Sequence, residues 1–455
     1  MAPARWFSRA ALLLAGICAI SIPAGRAEGL PRKASLGVVI APVPAEQRTN
    51  EKLEPGVGVL VRGLATGPSD KKARLRPGDV ILALDGAPVG PASLIARVTA
   101  LPVGQTVVVK LLRDGRPVEV RVPLIEKPRD PGSDLYEVVY SDVTSFGHRM
   151  RTIVSRPRAP GRHPAVMFIQ GYSPISYDYN LDGPGLDAPI LLDLARSGFV
   201  TMRVDKPGVG DSEGGPFAQV DFTTELDIYR QALLQLKGLD DVDSSNVFIF
   251  GHSMGGAFGP AVACEIPVKG IVVYGIESRT WHEYLLDTVR YQGLLAGKSY
   301  ADVDDEVRRS SRVMELVFQD GLTPGRIKQD HPELAATVDS TFPGGLFNAK
   351  TSDFWSQLEN TNFASCWTRC NTHVLAAHGA SDFVSYQVDH QLVADIVNSV
   401  HPGWGRAVVV PGSDHLFSSW ATEAESLKHW PTGTFNPAFI GIMKDWIAEV
   451  MRSKD

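Results

Sequence analysis

The 455-residue chain has few of the features that indicate binding of nucleic acid, a metal or a membrane. Its 51 Asp and Glu outnumber its 45 Lys and Arg, so the net charge of −6 gives no basic excess to attract nucleic acid. Cysteines number four, and no ligand-like spacing with a further Cys or His indicates a metal site. The apolar run at residues 10–22 is too short for a stable membrane anchor. We therefore expect a globular protein without nucleic-acid partner, metal or cofactor.

The first 27 residues have the pattern of a secretory signal peptide. Arg5 and Arg9 precede the apolar run, and small residues around Arg26 suit a cleavage site. A lipid anchor at Cys18 is disfavoured, because Ile17 stands where a small residue is expected. Loss of this leader, which has three arginines and no acids, would change the net charge from −6 to −9. We expect an exported protein, periplasmic or secreted.

Three cysteines would remain after export, Cys264, Cys366 and Cys370. In an oxidising compartment Cys366 and Cys370 could form a local disulfide, while Cys264 stays buried and free. Three unpaired thiols are an equally good interpretation.

The first folded unit, residues 34–125, reads as a small, mostly β domain with one short helix. Tight turns at Asp85-Gly86 and Asp114-Gly115 each separate two β-rich segments and predict hairpins. These residues resemble the PDZ domains attached to bacterial exported proteases. Two departures are Arg74, where such domains usually have glycine, and the polar residues 69–72.

The resemblance implies a groove that binds an extended peptide and holds its C-terminal carboxylate with backbone amides. Leu36, Gly37 and Val38 match the carboxylate-binding loop. The ligand would be a peptide or protein C-terminus. The other interpretation is a spacer or docking module whose groove stays empty.

Residues 126–134, EKPRDPGSD, have the composition of a linker, which predicts two units that work independently. From residue 135 to 455, apolar strand-like segments that end in Gly-bearing loops alternate with helix-like segments. That order predicts a mostly parallel sheet wrapped by helices. The loops should meet at the carboxyl ends of the strands.

One of these loops has the pattern Gly-x-Ser-x-Gly, with Ser253 between Gly251 and Gly255. The apolar residues 247–250 before it and the small residues after it supply the strand, turn and helix of a nucleophile elbow. Pro260 opposes this interpretation, because it should cost a helical hydrogen bond or cause a kink.

From residue 135 on, the chain resembles the α/β-hydrolases. A serine nucleophile needs a base, and the base needs a carboxylate to orient it. The family's chain order of serine, acid and histidine implies Ser253, Asp382 and His415 as these residues. Asp414 is the rival acid, but a side chain adjacent to His415 should point away from the imidazole.

The resemblance also implies an oxyanion hole made of backbone amides. Met254 follows the nucleophile, and Tyr172 follows a Gln170-Gly171 pair that resembles the family's His-Gly turn. Lys206-Pro207 stand where the family usually has x-Arg, which is a departure from its pattern. Residues 277–370 have helical spacing and are expected to form a lid that sets specificity.

These residues predict an exported serine hydrolase that cleaves small carboxylic esters through an acyl-enzyme. One alternative is a serine peptidase, resembling prolyl oligopeptidases or aminopeptidases, to which the PDZ domain brings peptides. Against it, neither a propeller nor a paired-glutamate motif is found. A third interpretation is a PDZ-based binding protein on an inactive hydrolase scaffold. The complete set Ser253, Asp382 and His415 disfavours it.

Overall fold

A computed structural model describes residues 29–65, 74–178 and 187–453. The predicted signal peptide, Arg5, Arg9 and Cys18 included, lies outside these residues, as does the polar stretch 69–72. Within the described ranges, no helix is both long and apolar enough to cross a membrane.

The N-terminal unit is a mostly β domain, as predicted, but it has two helices where the sequence predicted one short helix. In chain order its elements are β2 (Val38–Pro42), α1 (Ala45–Asn50), β3 (Val59–Leu64), β4 (Val80–Leu84), β5 (Ala87–Pro88), α2 (Pro91–Thr99), β6 (Thr106–Arg113) and β7 (Arg116–Pro123). The strands form an antiparallel sheet in the order β2-β3-β4-β6-β7, with β5 paired to β4.

Both predicted hairpins of this unit are confirmed. Leu84 pairs with Ala87, and Arg113 pairs with Arg116, so each loop has two residues. The central residues have positive φ, 47° and 82° at Asp85-Gly86 and 52° and 72° at Asp114-Gly115. Asp and Gly tolerate this conformation, which matches the twist of the two strands.

A short ribbon joins the two ends of this unit. Strand β1 (Ala34–Ser35) pairs in antiparallel fashion with β8 (Ile125–Glu126). Composition predicted a flexible linker at residues 126–134, yet Asp130 is buried and its carboxylate pairs with Arg203 at 2.8 Å. Composition could not reveal this contact, because the partner lies 73 residues away.

The C-terminal unit is an eight-stranded sheet. Its strands are β9 (Tyr136–Ser145), β10 (His148–Pro157), β11 (His163–Ile169), β12 (Val200–Val204), β13 (Val242–His252), β14 (Gly270–Tyr274), β15 (His373–Gly379) and β16 (Gly405–Val410). They lie side by side in the order β16-β15-β14-β13-β11-β12-β10-β9. Strands β9 and β10 form an antiparallel hairpin, β10 runs antiparallel to β12, and the other neighbours are parallel.

Helices cover both faces of this sheet. Alternate residues of β11 point to opposite faces, so Met167 belongs to one hydrophobic cluster and Phe168 to the other. The surrounding helices are α3 (Ala188–Arg196), α4 (Phe222–Lys237), α5 (Gly255–Ala263), α12 (Gln387–Val400), α13 (Glu423–His429) and α14 (Ala438–Arg452). Helix α5 continues through Pro260. The predicted α/β-hydrolase fold is confirmed.

The insertion between β14 and β15 is helical. Its helices are α6 (Trp281–Leu295), α7 (Tyr300–Met314) with a π-helical extension (Glu315–Gln319), α8 (Pro324–Asp330), α9 (Ala335–Thr341), α10 (Ser352–Glu359) and α11 (Phe363–Arg369). Cys366 and Cys370 lie one turn apart at the end of α11. Both are free thiols, as is Cys264.

Candidate active site

Ser253 lies on a tight turn between β13 and α5. Its φ is +54°, a left-handed conformation that is uncommon for a residue with a side chain. A Cβ at Gly251 would lie 2.5 Å from the carbonyl oxygen of Gly255, and one at Gly255 would lie 2.2 Å from that of Ile169. The two glycines are therefore required by close backbone approach.

Asp382 and His415 follow β15 and β16, and the structure brings them together. Oδ2 of Asp382 lies 3.0 Å from Nδ1 of His415, and both side chains are buried. Ser253 and His415 line the same cavity. Among the described residues, Ser253 Oγ and the imidazole form no hydrogen bond. Such bonds often shorten only when substrate binds.

The surroundings of Asp382 favour its carboxylate form. Oδ1 accepts the backbone N–H groups of Val384 and Ser385 at 2.7 and 3.0 Å, and Oδ2 accepts the Ser385 hydroxyl at 2.6 Å. Burial alone would raise the pKa of Asp382. His415, His378 and the Ser385 hydroxyl together hold that pKa below its usual range. A fixed anion on the Nδ1 side leaves Nε2 of His415 free to act as a base.

The carboxylate of the rival acid, Asp414, is hydrogen-bonded to residues that follow it in the chain. Oδ1 accepts the N–H groups of Leu416 and Ser418 at 2.9 and 2.8 Å, and Oδ2 accepts the Ser426 hydroxyl at 2.8 Å. These bonds direct its carboxylate away from the imidazole of His415. Asp414 thus shapes the turn that presents the histidine.

His252, beside the nucleophile, has a structural contact. Its Nε2 lies 2.8 Å from the carbonyl oxygen of His415, which requires a proton on Nε2. Burial first, and the neighbouring His415 second, lower the pKa of His252 to about 3. His252 therefore remains neutral at ordinary pH and steadies the backbone of His415.

The loop after β11 lies against Ser253. A Cβ on Gly171 would lie 3.2 Å from Cβ of Ser253, so a side chain there would press against the nucleophile. Gln170, found where the family usually has histidine, donates from Nε2 to the carbonyl oxygen of Val204 at 2.9 Å. Tyr172 lines the same cavity as Ser253, and Met254 is the N-cap residue of α5, so their roles as oxyanion donors stay a prediction.

Lys206 holds the same loop by its ammonium group. Nζ donates to the carbonyl oxygen of Gly171 and pairs with Oε1 of Glu225 at 2.6 Å. Lys350, from the helical insertion, pairs with the other oxygen of Glu225 at 3.0 Å. Burial first, and then the neighbouring Lys350, lower the pKa of Lys206 to about 8, although Glu225 opposes the shift. In the sequence, Lys206 stood out only as a departure from the family pattern, and no local signal pointed to Glu225 or Lys350.

Gly275, at the end of β14, was also missed. Its φ is +64°, and an added Cβ would lie 2.8 Å from Nδ1 of His415. A side chain at this position would displace the imidazole. The signal was present in the sequence as a glycine directly after an apolar strand.

The cavity at Ser253 has a volume of about 360 Å³. Its lining combines aromatic and aliphatic side chains with a few polar groups: Gly171, Tyr172, Ser173, Ile175, Ser176, Tyr177, Asp187, His252, Ser253, His415, Leu416, Phe417, Trp430 and Pro431. No described residue of the insertion 277–370 is among them, so the effect of the insertion on specificity stays a prediction.

The predicted carboxylate-binding loop lies at the edge of the N-terminal sheet. Leu36 and Val38 are buried, and Gly37 has a φ of +72°. The Gly37 N–H donates to Oγ of Ser35 at 3.0 Å. Strand β2 is an edge strand, which can accept an added peptide strand.

Among the described residues, no group of three or more His, Cys, Asp or Glu side chains is arranged to hold a metal ion.

The chain is similar to known proteins over parts of its length. The chain is 34% identical over 106 residues to a probable periplasmic serine endoprotease DegP-like of Chlamydia trachomatis, which covers 23% of this chain and 21% of the relative. It is 26% identical over 162 residues to the esterase EstD of Thermotoga maritima, covering 33% of this chain and 38% of that enzyme. The chain thus spans well under half of the length of either relative.

Among solved structures, Est1E from Butyrivibrio proteoclasticus matches 70% of this chain and 99% of its own, at 14% identity and a TM-score of 0.44. Two family models match the sequence: a PDZ domain at residues 37–124 and the alpha/beta hydrolase family at residues 166–425. Since the second match covers more than half of the 455 residues, the chain belongs to the alpha/beta hydrolase family.

Proposed function

We propose that this chain is an exported serine hydrolase that cleaves small carboxylic esters. The main support is the contact between Asp382 and His415, together with the partly apolar cavity that His415 and the strained Ser253 both line. EstD, a relative over a third of the chain, is an esterase. The predicted leader supports export.

In the proposed reaction, Nε2 of His415 takes the proton of Ser253 as Oγ attacks the ester carbonyl carbon. The negative charge that develops on the carbonyl oxygen is stabilised by the N–H groups of Met254 and Tyr172. His415 then gives its proton to the leaving alcohol, and the acyl group remains on Oγ. Water, deprotonated by His415, attacks the acyl carbon, and the acid leaves while Ser253 regains its proton.

The PDZ domain favours a second candidate, a serine peptidase that receives peptide ends from the groove. The same residues would attack an amide. A third candidate, a binding protein on an inactive scaffold, predicts a Ser253 that does not react.

One experiment separates the three candidates. The purified chain is treated with a fluorophosphonate probe, digested and mapped, and is then assayed with p-nitrophenyl esters and with peptide amides. We expect the label on Ser253 and turnover of short esters, both lost in Ser253→Ala. Faster turnover of peptide amides would favour the peptidase. A folded chain that takes no label would contradict both enzyme candidates.

A further inference from the structure

The PDZ domain is inserted at the end of a two-stranded ribbon. Ala34 pairs with Glu126 and Ser35 with Ile125, and the N–H of Lys127 donates to the carbonyl oxygen of Lys33 at 2.9 Å. The chain thus enters and leaves the PDZ domain side by side.

The chain segments next to both strands of the ribbon are hydrogen-bonded to the hydrolase sheet. On the entering side, the Leu30 N–H donates to Oδ2 of Asp142 on β9 at 2.9 Å, and the Leu30 carbonyl accepts from Arg151 on β10. On the leaving side, the Asp130 N–H donates to the hydroxyl of Tyr140 on β9 at 2.8 Å. Residues on both sides of the PDZ domain are therefore bound to the hydrolase unit.

Arg32 makes the most extensive of these contacts. Its guanidinium is buried, with Nη1 2.5 Å from Oδ2 of Asp211 and Nη2 2.7 Å from Oδ2 of Asp178, and it lies 4.5 Å above the Tyr140 ring. From the other strand, Nζ of Lys127 lies 3.1 Å from the same oxygen of Asp178. Two cations, one from each side of the PDZ domain, thus pair with the carboxylate of Asp178.

Asp178 ends the described part of the loop that begins beside Ser253 at Gly171. Ser176 and Tyr177, next to it, line the cavity and bond Asp205: the Ser176 hydroxyl at 2.7 Å and the Tyr177 N–H at 2.8 Å. Nζ of Lys127 lies 3.4 Å from the Ser176 hydroxyl. The loop that lines the cavity is therefore bound to the ribbon at two positions, Ser176 and Asp178.

Without the ribbon, the buried carboxylate of Asp178 would lose both cations that pair with it, Arg32 and Lys127. Burial raises the pKa of Asp178, while Lys127, Arg32 and the Tyr140 hydroxyl lower it below its usual range. An unpaired buried carboxylate is strongly unfavourable, so the loop would move to bring Asp178 to solvent.

We propose that residues 29–35 and 125–130 belong functionally to the hydrolase unit, and that Arg32 and Lys127 position the wall formed by residues 171–178. The proposal rests on the proposed role of Ser253. Arg32 and Lys127 act through the loop and touch no reacting atom, so they are positioning residues. The ribbon also connects this wall to the PDZ domain, because Leu36 of the predicted ligand loop directly follows it.

The test uses the full-length chain and the variant Arg32→Met, with Arg113→Met as the matched control. Arg113 also pairs with a buried carboxylate, Asp79 at 2.7 Å, but within the PDZ domain. We expect Arg32→Met to lower kcat on a p-nitrophenyl ester about 10-fold or more, with KM changed less than about 3-fold. The loss should fall on kcat because the displaced wall includes the Tyr172 amide, which acts in the transition state of the proposed reaction. Arg113→Met should retain kcat, and Arg32→Lys should recover part of it.

Folding is checked by circular dichroism and Tm. If Arg32→Met does not fold, Lys127→Met decides, because it leaves the Arg32 ion pairs in place. A folded variant of either kind with kcat within 2-fold of Arg113→Met would overturn the proposal. The fluorophosphonate label on the parent chain keeps the two proposals apart. An unlabelled parent contradicts the proposed function, whereas a labelled parent with unchanged Arg32 and Lys127 variants contradicts only the positioning role of these two residues.

Discussion

Oδ2 of Asp382 lies 3.0 Å from Nδ1 of His415, although 33 residues separate them in the chain. They meet because each follows one of two adjacent parallel strands, β15 and β16, at the same edge of the sheet. The contact distinguishes Asp382 from Asp414, which adjoins the histidine in sequence but bonds to its own turn.

Replacement of Asp382 by asparagine should lower kcat by about 10⁴-fold, because an amide favours the wrong tautomer of His415 and cannot stabilise its charged form. Asp414→Asn is the matched control and should lower kcat far less. Both are measured on a p-nitrophenyl ester after a check of folding by circular dichroism. A larger loss in Asp414→Asn than in Asp382→Asn would reverse the assignment.

Lys206→Met should lower kcat about 10- to 100-fold, less than the loss expected for removing an oxyanion donor outright, because the Gly171 carbonyl loses its donor while the Tyr172 amide remains. Lys350→Met is the matched control, since Lys350 pairs with the same Glu225 but does not contact Gly171. In each variant the other lysine still pairs with Glu225. Equal losses of kcat in the two variants, measured alongside urea unfolding, would contradict a specific role for Lys206.

His390 should make the protein sensitive to acid. Its Nε2 accepts the Ile276 N–H at 3.2 Å and its Nδ1 faces the Tyr386 carbonyl at 2.9 Å, so the fold requires the neutral ring. Burial first, and then His378, lower the pKa of His390 from 6.5 to about 4. Between these values the unfolded chain binds more protons, so the free energy of unfolding decreases as the pH falls from about 6.5 to about 4.

We therefore expect His390→Gln to show a shallower decrease over this range in urea unfolding at successive pH values. Exposed His429 provides the control His429→Gln, which should follow the parent chain. Buried groups with other shifts, such as Asp205, contribute equally to parent and variant. An unchanged slope in His390→Gln would contradict the expectation.

Two shortened chains should behave differently. Because Ser35 and Ile125 are paired, an Asn-Gly turn can replace residues 36–124 and close the ribbon. This chain retains Arg32 and Lys127 and should keep most of the kcat and Tm of the full chain. A chain of residues 135–455 lacks both cations and should lose kcat and stability. Both chains are assayed on a small ester after circular dichroism shows that they are folded. Equal kcat values would contradict the proposed role of the ribbon and would support two units that work independently.

Local patterns in the sequence were enough to predict the two units and the elbow. The Asp-Gly turns, the alternation of strand and helix, and the two glycines around Ser253 each act within a few residues, where backbone sterics set the structure. The choice of Asp382 needed more, since it came from the chain order of a resembled family. The ester substrate and the ligand of the PDZ groove stay predictions.

The sequence by itself determined the order of units, the sharp turn at Ser253 and the set of candidate residues. Only the tertiary structure decided what holds the loop beside Ser253. Lys206, Glu225 and Lys350 come from three distant segments, and Arg32 reaches Asp178 across 146 positions of the chain. From composition alone, such charged residues are expected to lie at the solvent-exposed surface. Buried ion pairs depend on which segments the sheet brings together, and that is fixed by packing over the whole chain rather than by any local pattern.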